Sequence, residues 1–266
     1  MITSTANPHI KQLVKWQSKA RERRQDGVFV AEGEKMFAEA PQSLIREVYL
    51  EIALEEKLKA GRTERDRLLF NKLMRVGYEP VSPEVMRHAA DTQTPQGILT
   101  VLHRPSYEIE EVLSDPGGLY LLVEDLQDPG NLGTIFRTAE GAGANGILLS
   151  NETVDLFNPK TIRSTMGSVY RIPFCYIESM EQAFLLLREK GITTYAAHLQ
   201  GKSYYNDFSY QKGTAFLIGN EGNGLKRETA QAADHYLKIP MEGEVESLNA
   251  AISAAILLYE AHRQRS

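Results

Sequence analysis

Residues 214–225 read Thr214-Ala-Phe-Leu-Ile-Gly-Asn-Glu-Gly-Asn-Gly-Leu225, an apolar run followed at once by three glycines in six residues. A continuous apolar run of this length is typical of a strand that is buried on both faces of a parallel sheet. Parallel α/β sheets bind their ligands at the carboxyl ends of the strands, where the loops lie. The stretch therefore predicts a ligand-binding loop, residues 219–225, at one end of a parallel sheet.

The chain outside this stretch divides into two parts of different rhythm. After residue 117, apolar runs alternate with helical patterns, which predicts further strands at 119–123, 146–149 and 193–197 and helices at 132–141, 159–168, 179–190 and 247–263. Strands that alternate with helices indicate a parallel α/β domain. The first hundred residues predict a smaller α/β unit, which begins with an amphipathic helix over residues 7–24, opened by Asn7-Pro8, and contains a charged helix over residues 51–65. We therefore expect domains at 1–104 and 118–266, joined by a Pro- and Gly-rich linker at 105–117.

Two further segments, like the glycine loop at residues 219–225, connect a strand to a helix. We call these three segments the joints. Glu124-Asp-Leu-Gln-Asp-Pro-Gly-Asn131 follows the strand at 119–123, with Asn131 as the predicted N-cap and Arg137 inside the helix. Ile239-Pro-Met241 precedes Ser247-Leu-Asn249, where Ser247 is the predicted N-cap and the Asn249 side chain is free to face a ligand. The alternative for each joint is simple helix capping, with Arg137 as a surface residue.

The glycine loop matches neither of two well-known phosphate-binding patterns. Leu225 stands where a P-loop requires lysine, and no acidic residue ends a following strand as a dinucleotide fingerprint requires. Glu221 would also repel a pyrophosphate, so the loop favours a ligand that carries positive charge or hydrogen-bond donors. A plain glycine turn is the alternative.

Charge is unevenly distributed along the chain, although the formal net charge is −5. Residues 1–105 hold 17 Lys and Arg against 14 Asp and Glu, whereas the remainder holds 13 against 21. Such asymmetry is what an RNA-contacting face produces, although a solvated helix would also produce it. The candidate RNA-binding residues are the six basic side chains among the first 24 residues: Lys11, Lys15, Lys19, Arg21, Arg23 and Arg24.

Cysteine usage and hydropathy restrict the other classes of protein. The single cysteine, Cys175, excludes a disulfide framework and cysteine-based metal sites. No apolar run approaches the roughly 20 residues that a membrane span needs, and the polar N-terminus is not a secretory signal. We therefore expect a cytoplasmic protein with neither a membrane nor a metal partner.

The three joints together resemble the motifs of the SpoU (TrmH) family in the SPOUT superfamily. Asn131-Leu-Gly-Thr-Ile-Phe-Arg137-Thr-Ala is similar to the first motif, Gly219-Asn-Glu-Gly-Asn-Gly-Leu to the second, and Ile239-Pro-Met241 with Ser247-Leu-Asn249-Ala-Ala to the third. Arg163-Ser-Thr-Met-Gly-Ser168 resembles a further family segment. The first hundred residues are similar, more loosely, to the ribosomal-protein-like substrate-binding domain often found ahead of this catalytic domain.

The resemblance implies an RNA methyltransferase that uses S-adenosyl-L-methionine to methylate a ribose 2′-hydroxyl. It also implies a C-terminal trefoil knot, which is an exception to the usual absence of knots, and a homodimer. The family's cofactor contacts fall on Gly219, Ile239 and Leu248, and Ile218, Met241 and Ala197 are candidates for the pocket wall.

Transfer of a methyl group from sulfonium to oxygen needs alignment and removal of the hydroxyl proton, but no metal. The family's proposed general base falls on Arg137, yet a guanidinium stays protonated, so a phosphate clamp that positions the ribose is the preferred role. As a base, Arg137 would need a nearby phosphate to take up its proton. Asn131, Glu221, Ser247 and Asn249 are the candidates for holding the substrate and Arg137.

Ribosomal RNA is the expected substrate, and transfer RNA is the alternative. Three competing hypotheses are a catalytically silent RNA-binding or ribosome-assembly protein on this scaffold, an enzyme that methylates a base nitrogen, and an ordinary nucleotide-binding α/β protein. Arg137, Glu221 and Asn249 argue against the silent protein, and the failed P-loop and dinucleotide matches argue against the nucleotide-binding protein.

Overall fold

The computed structural model describes residues 1–198, 201–244 and 247–266, which form two compact units. The first unit comprises Met1–Pro105 and Asp155–Tyr170, and the second comprises Ser106–Val154 and the described part of Arg171–Ser266.

The first unit is a small α/β unit, as the sequence predicts. Its helices, numbered in chain order over both units, are α1 (Pro8–Ser18), α2 (Ala20–Asp26), α3 (Glu34–Glu39), α4 (Ile52–Ala60), α5 (Glu64–Val76), α6 (Pro83–Ala89) and α9 (Pro159–Thr165). Its strands are β1 (Val28–Glu32), β2 (Ile45–Glu51), β3 (Glu79–Val81) and β4 (Ile98–His103). They form a sheet in the order β1-β4-β2-β3, in which only the β2–β3 pair is parallel.

The N-terminal helix begins where the sequence predicts but ends earlier. The Asn7 side chain accepts a hydrogen bond from the His9 N–H at 2.9 Å, and Pro8 occupies the first helical position, where its missing N–H costs nothing. The helix stops because Lys19 has extended backbone angles, so the predicted single helix is two helices, α1 and α2. A second predicted helix, over residues 51–65, is also interrupted: Gly61 ends α4 in the left-handed region, and α5 begins after Thr63.

Residues 155–170 pack within the first unit, whereas the boundaries expected from the sequence place them in the second domain. The Phe157 ring lies 4.9 Å from that of Phe29. The Asp155 carboxylate forms an ion pair with the buried Arg23 at 2.7 Å. Long-range aromatic and ionic contacts of this kind are invisible in a linear pattern, which explains the difference.

The second unit is a parallel α/β unit. Its helices are α7 (Ile109–Val112), α8 (Pro129–Gly141), α10 (Met180–Glu189), α11 (Arg227–Ala232) and α12 (Ala250–Arg265). Its strands are β5 (Leu119–Val123), β6 (Gly146–Ser150), β7 (Phe174–Ile177), β8 (Thr193–Ala197), β9 (Ser203–Tyr204), β10 (Thr214–Ile218) and β11 (His235–Lys238). Among the described residues the order is β7-β6-β5-β10-β8-β11-β9, and every pair in it is parallel. The predicted parallel sheet is confirmed.

The core of the second unit explains why its strands read as continuous apolar runs. All residues of β5, β6 and β10 are buried, as strands covered on both faces must be. Val112 and Leu113, from the segment expected to be a linker, are also fully buried in this core. Short 3-10 turns lie at Gln42–Leu44, Ser168–Tyr170 and Tyr205–Asp207. Across the described residues, no helix combines the length and apolarity that a membrane crossing requires.

Candidate active site

One cavity collects every residue that the sequence predicts for cofactor binding. It has a volume of about 300 Å³, within the range of small-molecule sites, and lies where β8, β10 and β11 end. The six predicted residues on its wall are Ala197, Ile218, Gly219, Ile239, Met241 and Leu248. They come from four separate stretches of the chain, so the topology and not local sequence brings them together.

The cavity also has wall residues that the sequence does not predict. His198 and Lys238 follow or end neighbouring strands, and the His198 ring stacks on Tyr236 with a centroid distance of 4.9 Å. Their positions at the ends of strands β8 and β11 could have predicted that they line the cavity, but the sequence pattern does not predict β11.

The glycine loop is tight because its two ends touch. Asn220 and Gly224 exchange both of their backbone hydrogen bonds, at 3.0 and 2.9 Å. A Cβ atom on Gly219 would lie 2.2 Å from the carbonyl carbon of Gly224, which no side chain permits. The glycines therefore make a sharp turn, and the same turn lines the cavity.

Glu221, at the tip of this loop, binds the beginning of α8. Its carboxylate accepts hydrogen bonds from the backbone N–H groups of Gln127 at 3.0 Å and Asp128 at 2.9 Å, and from the Asn131 side chain at 3.1 Å. Burial raises the pKa of this carboxyl, but these donors outweigh burial and leave the pKa below its ordinary value. Glu221 is thus an anion held at a helix N-terminus, where backbone N–H groups favour negative charge.

The sequence predicts Asn131 as the N-cap of α8, but the structure shows that it is not. Asp128 caps the helix by accepting a hydrogen bond from the Asn131 N–H at 2.8 Å, and Pro129 takes the first helical position. Asp followed by Pro is a common pattern at the beginning of a helix, so the sequence could have predicted Asp128 as the N-cap. Because Asp128 does the capping, the Asn131 side chain is available for other contacts.

The roles of Ser247 and Asn249 are likewise exchanged relative to the prediction. Asn249 caps α12, since its Oδ1 atom accepts a hydrogen bond from the Ala251 N–H at 2.9 Å. Its Nδ2 atom donates to Oδ1 of Asn131 at 2.9 Å. Ser247 lies on the cavity wall. Glu221, Asn131 and Asn249 thus form one hydrogen-bonded chain that links the three joints.

Arg137 stands apart from this chain of side chains. It lies six residues beyond Asn131 on α8, about 9 Å along the helix axis at roughly 1.5 Å per residue. Its side chain is exposed, and the part of the chain that the structure describes gives it no hydrogen bond or ion pair. A charged side chain in this state is free to take an anionic partner.

The basic residues predicted to bind RNA divide into five that are exposed and one that is not. The exposed residues, which have no ion-pair partner among the described residues, are Lys11, Lys15, Lys19, Arg21 and Arg24. Arg23 is 3% exposed, and its guanidinium donates to the carbonyls of Trp16 and Gln17 and to Asp155. The prediction for Arg23 is therefore wrong, because its guanidinium is buried in an ion pair with Asp155 inside the first unit.

Within the described ranges, no cluster of three His, Cys, Asp or Glu side chains could hold a metal ion.

Comparison with known proteins identifies the family. Residues 118–259 match the SpoU rRNA Methylase family, and residues 7–100 match the MRM3-like substrate binding domain. The chain therefore belongs to the SpoU family, and it combines a parallel α/β domain with an N-terminal substrate-binding domain.

Similar proteins cover nearly the whole chain. A 23S rRNA (guanosine(2553)-2′-O)-methyltransferase of Bacillus subtilis, RlmP, is 32% identical over 262 residues, which is 97% of each chain. An rRNA methyltransferase from Sinorhizobium meliloti, solved with AdoMet bound, is 30% identical, with a TM-score of 0.82 over 98% of this chain and 97% of that one. The SpoU methyltransferase AviRb from Streptomyces viridochromogenes, solved in complex with AdoMet, is 25% identical, with a TM-score of 0.83 over 97% and 98% of the two chains.

Proposed function

We propose that this chain is an RNA methyltransferase that uses S-adenosyl-L-methionine to methylate a ribose 2′-hydroxyl in ribosomal RNA. The observation that carries the proposal is the cavity lined by the glycine loop and by residues of the joint at 239–249, together with a free arginine on α8, whose Asn131 is hydrogen-bonded to both of these joints. The relatives support the reaction and the substrate class, since their names specify 2′-O-methylation of 23S rRNA and AdoMet binding.

The cavity suits an adenosyl ligand by its chemistry. Its apolar wall includes Ile218, Leu237 and Leu248, while the turn of the glycine loop presents backbone polar groups. A purine has apolar faces and polar edges, so this combination fits it. When bound, the cofactor supplies an electrophilic methyl group on a sulfonium that is its own leaving group.

The side chains around the cavity have positioning roles in this proposal. Arg137 binds a phosphate beside the target nucleotide and thereby orients the ribose, because a guanidinium matches phosphate geometry with two parallel hydrogen bonds. Because the guanidinium is already protonated, it could accept the hydroxyl proton only after passing one of its own protons to that phosphate. Glu221, Asn131 and Asn249 hold the beginnings of α8 and α12 together, which keeps Arg137 at a constant distance from the cavity wall. Ser247, on the wall itself, is a candidate for contact with the substrate.

The N-terminal unit would bind the RNA. Lys11 and Lys15 are four residues apart on α1, so they lie along one exposed face of this helix, and the exposed Lys19 directly follows its end. Arg21 and Arg24 continue the positive charge. Phosphate contacts from these five residues would supply affinity and salt dependence, but not the choice of nucleotide.

Three further features belong to the same proposal. We propose a homodimer, supported by Ile252 and Tyr259, which are each 50% exposed and lie seven residues apart on one face of α12. We propose that the C-terminal chain forms a trefoil knot. Support comes from the cavity, which is lined both by residues before β11, such as Gly219, and by residues after it, such as Ile239 and Leu248. A cytoplasmic location is consistent with the free, buried Cys175.

Substitution of Arg137 by alanine tests the proposed function. The variant should bind S-adenosylhomocysteine with the wild-type Kd, because Arg137 does not line the cavity. It should lose methyl transfer by a factor of about 100 or more, as expected when a charged hydrogen bond to the substrate is removed. Isothermal titration calorimetry and transfer of labelled methyl groups to ribosomal RNA measure the two effects. Wild-type activity in the variant would contradict the proposal.

A further inference from the structure

Glu124, the first residue after β5, has a buried carboxylate for which the proposed function has no role. The residue is 1% exposed. One oxygen accepts a hydrogen bond from the backbone N–H of Lys226 at 2.8 Å, and the other accepts one from the Thr229 hydroxyl. A buried carboxylate is costly unless such donors satisfy it, so these contacts are strong constraints on their partners.

These partners place Glu124 at the end of the glycine loop. Lys226 directly follows loop residues 219–225 and precedes α11, while Thr229 lies within α11. The carboxylate therefore fixes the point at which the loop leaves the cavity and enters the helix.

The neighbouring residue, Asp125, holds the same loop from two sides. Its carbonyl accepts a hydrogen bond from the Asn220 side chain at 2.8 Å, and its carboxylate forms an ion pair with Lys226 at 2.7 Å. Asp125 has a φ of 52°, a left-handed conformation that is unfavourable for a residue with a side chain. A hydrogen bond from Ser150 to its carboxylate, at 2.8 Å, helps to hold this conformation.

We propose that Glu124 is a positioning residue for the cofactor, acting through Lys226 and Thr229 on the glycine loop that lines the cavity. The inference rests on the proposed function in one respect, namely that the ligand of this cavity is S-adenosyl-L-methionine. Glu124 contacts the end of the loop at Lys226, whereas α8, which carries Arg137, has its own cap in Asp128 and is contacted by Glu221 at the tip of the loop. Loss of the carboxylate should therefore weaken cofactor binding and leave the transfer step intact.

The test compares three single substitutions in the full-length protein. Glu124→Gln removes the charge and one acceptor at nearly constant volume, and Thr229→Val removes one donor to the same carboxylate. Glu228→Gln is the matched control, since it removes an exposed carboxylate from the adjacent residue of α11. The Kd for S-adenosylhomocysteine is measured by calorimetry, and KM for S-adenosyl-L-methionine and kcat are measured with saturating RNA.

Glu124→Gln should raise both Kd and KM about tenfold, as loss of a buried charged hydrogen bond does, and Thr229→Val should raise them roughly threefold. In both variants kcat should stay at the wild-type value, and Glu228→Gln should match the wild type throughout. A purely structural role would instead lower kcat through loss of folded enzyme, with KM unchanged, and this result would overturn the inference. An unchanged Kd in Thr229→Val would overturn it even if Glu124→Gln does not fold. Failure of the wild type itself to bind S-adenosylhomocysteine would contradict the proposed function, and the inference with it.

Discussion

Gly219 and Gly222 belong to one loop, but only Gly219 is required to be a glycine by its surroundings. The Gly219 Cβ position is occupied by the backbone of Gly224 and Leu225, whereas the Gly222 position meets only the Asn220 side chain at 3.5 Å. The first glycine is therefore a steric requirement of the loop, and the second is not. The spacing of glycines in the sequence predicts a loop but cannot show which of them is indispensable, because the clash is with residues that fold back on it.

Substitution of Gly219 by alanine should abolish cofactor binding. The added methyl group would force the loop backbone apart, and this loop lines the cavity. We expect the Kd for S-adenosylhomocysteine to rise at least about 100-fold, corresponding to roughly 3 kcal/mol, as for overpacking against a rigid backbone. Gly222→Ala serves as the control and should bind normally. Equal Kd values for the two variants would show that the loop opens at little cost.

Arg23 illustrates how similar residues in one basic segment take different roles. Arg23 and Arg24 are adjacent in the sequence, yet Arg23 is buried against Asp155 and Arg24 is exposed. The sequence predicts a basic segment correctly, but the partner that removes Arg23 from it lies 132 residues away. No local pattern could reveal that partner.

Alanine substitutions at these two positions should separate stability from RNA binding. Arg23→Ala leaves Asp155 and two carbonyls without their donor and should lower the free energy of unfolding by about 3 kcal/mol. Arg24→Ala should leave stability unchanged and reduce the slope of log affinity against log salt concentration by about 1. Urea unfolding and RNA binding at several salt concentrations measure these effects. A fully stable Arg23→Ala protein would show that the ion pair is dispensable.

The helices that carry the site both begin at capping residues other than those predicted. Asn131 and Ser247 have the right chemistry for N-caps, but Asp128 and Asn249 take that role. The error has a physical reason: several capping residues lie within one turn of each other, and long-range contacts decide among them. At the start of α12, Asn249 caps the helix and donates to Asn131 at the same time.

Asn249 therefore has two functions that substitution can separate. Asn249→Asp keeps the acceptor for the Ala251 N–H but removes the donor to Asn131, so thermal stability should be nearly unchanged. Methyl transfer should fall by about tenfold or more, because the chain of side chains between the joints is broken. Asn249→Ala, which loses the cap as well, should in addition be less stable by about 1 kcal/mol. Full activity in Asn249→Asp would mean that the contact with Asn131 has no part in the reaction.

Most of the buried strands of the second unit are predictable from this sequence. The runs at β5, β6, β8 and β10 predict strands, whereas β7, although three of its four residues are buried, and the more exposed β9 and β11 are not predicted. β9 has two residues and β11 has a single buried one, so neither shows an apolar run. Their pairing partners in the sheet, and not their own composition, make them strands.

For the molecule as a whole, the sequence predicts two α/β parts but not their full membership. Residues 155–170 pack with the first unit through Asp155 and Phe157, and residues 109–113 pack into the core of the second. Six residues of the cavity wall are predictable through the resemblance to the three motifs, whereas its shape follows from the neighbouring positions of β10, β8 and β11 in the sheet.

In the proposed function, this chain methylates a ribose 2′-hydroxyl of ribosomal RNA. The most direct measurement incubates the protein with unmodified ribosomal RNA and isotopically labelled S-adenosyl-L-methionine, digests the RNA to nucleosides, and determines the labelled product by mass spectrometry. Transfer RNA and the Arg137→Ala variant are the controls. We predict a single 2′-O-methylated nucleoside from ribosomal RNA with the wild-type protein only. A label found on a nucleobase, in transfer RNA alone, or in no product would contradict 2′-O-methylation of ribosomal RNA by this chain.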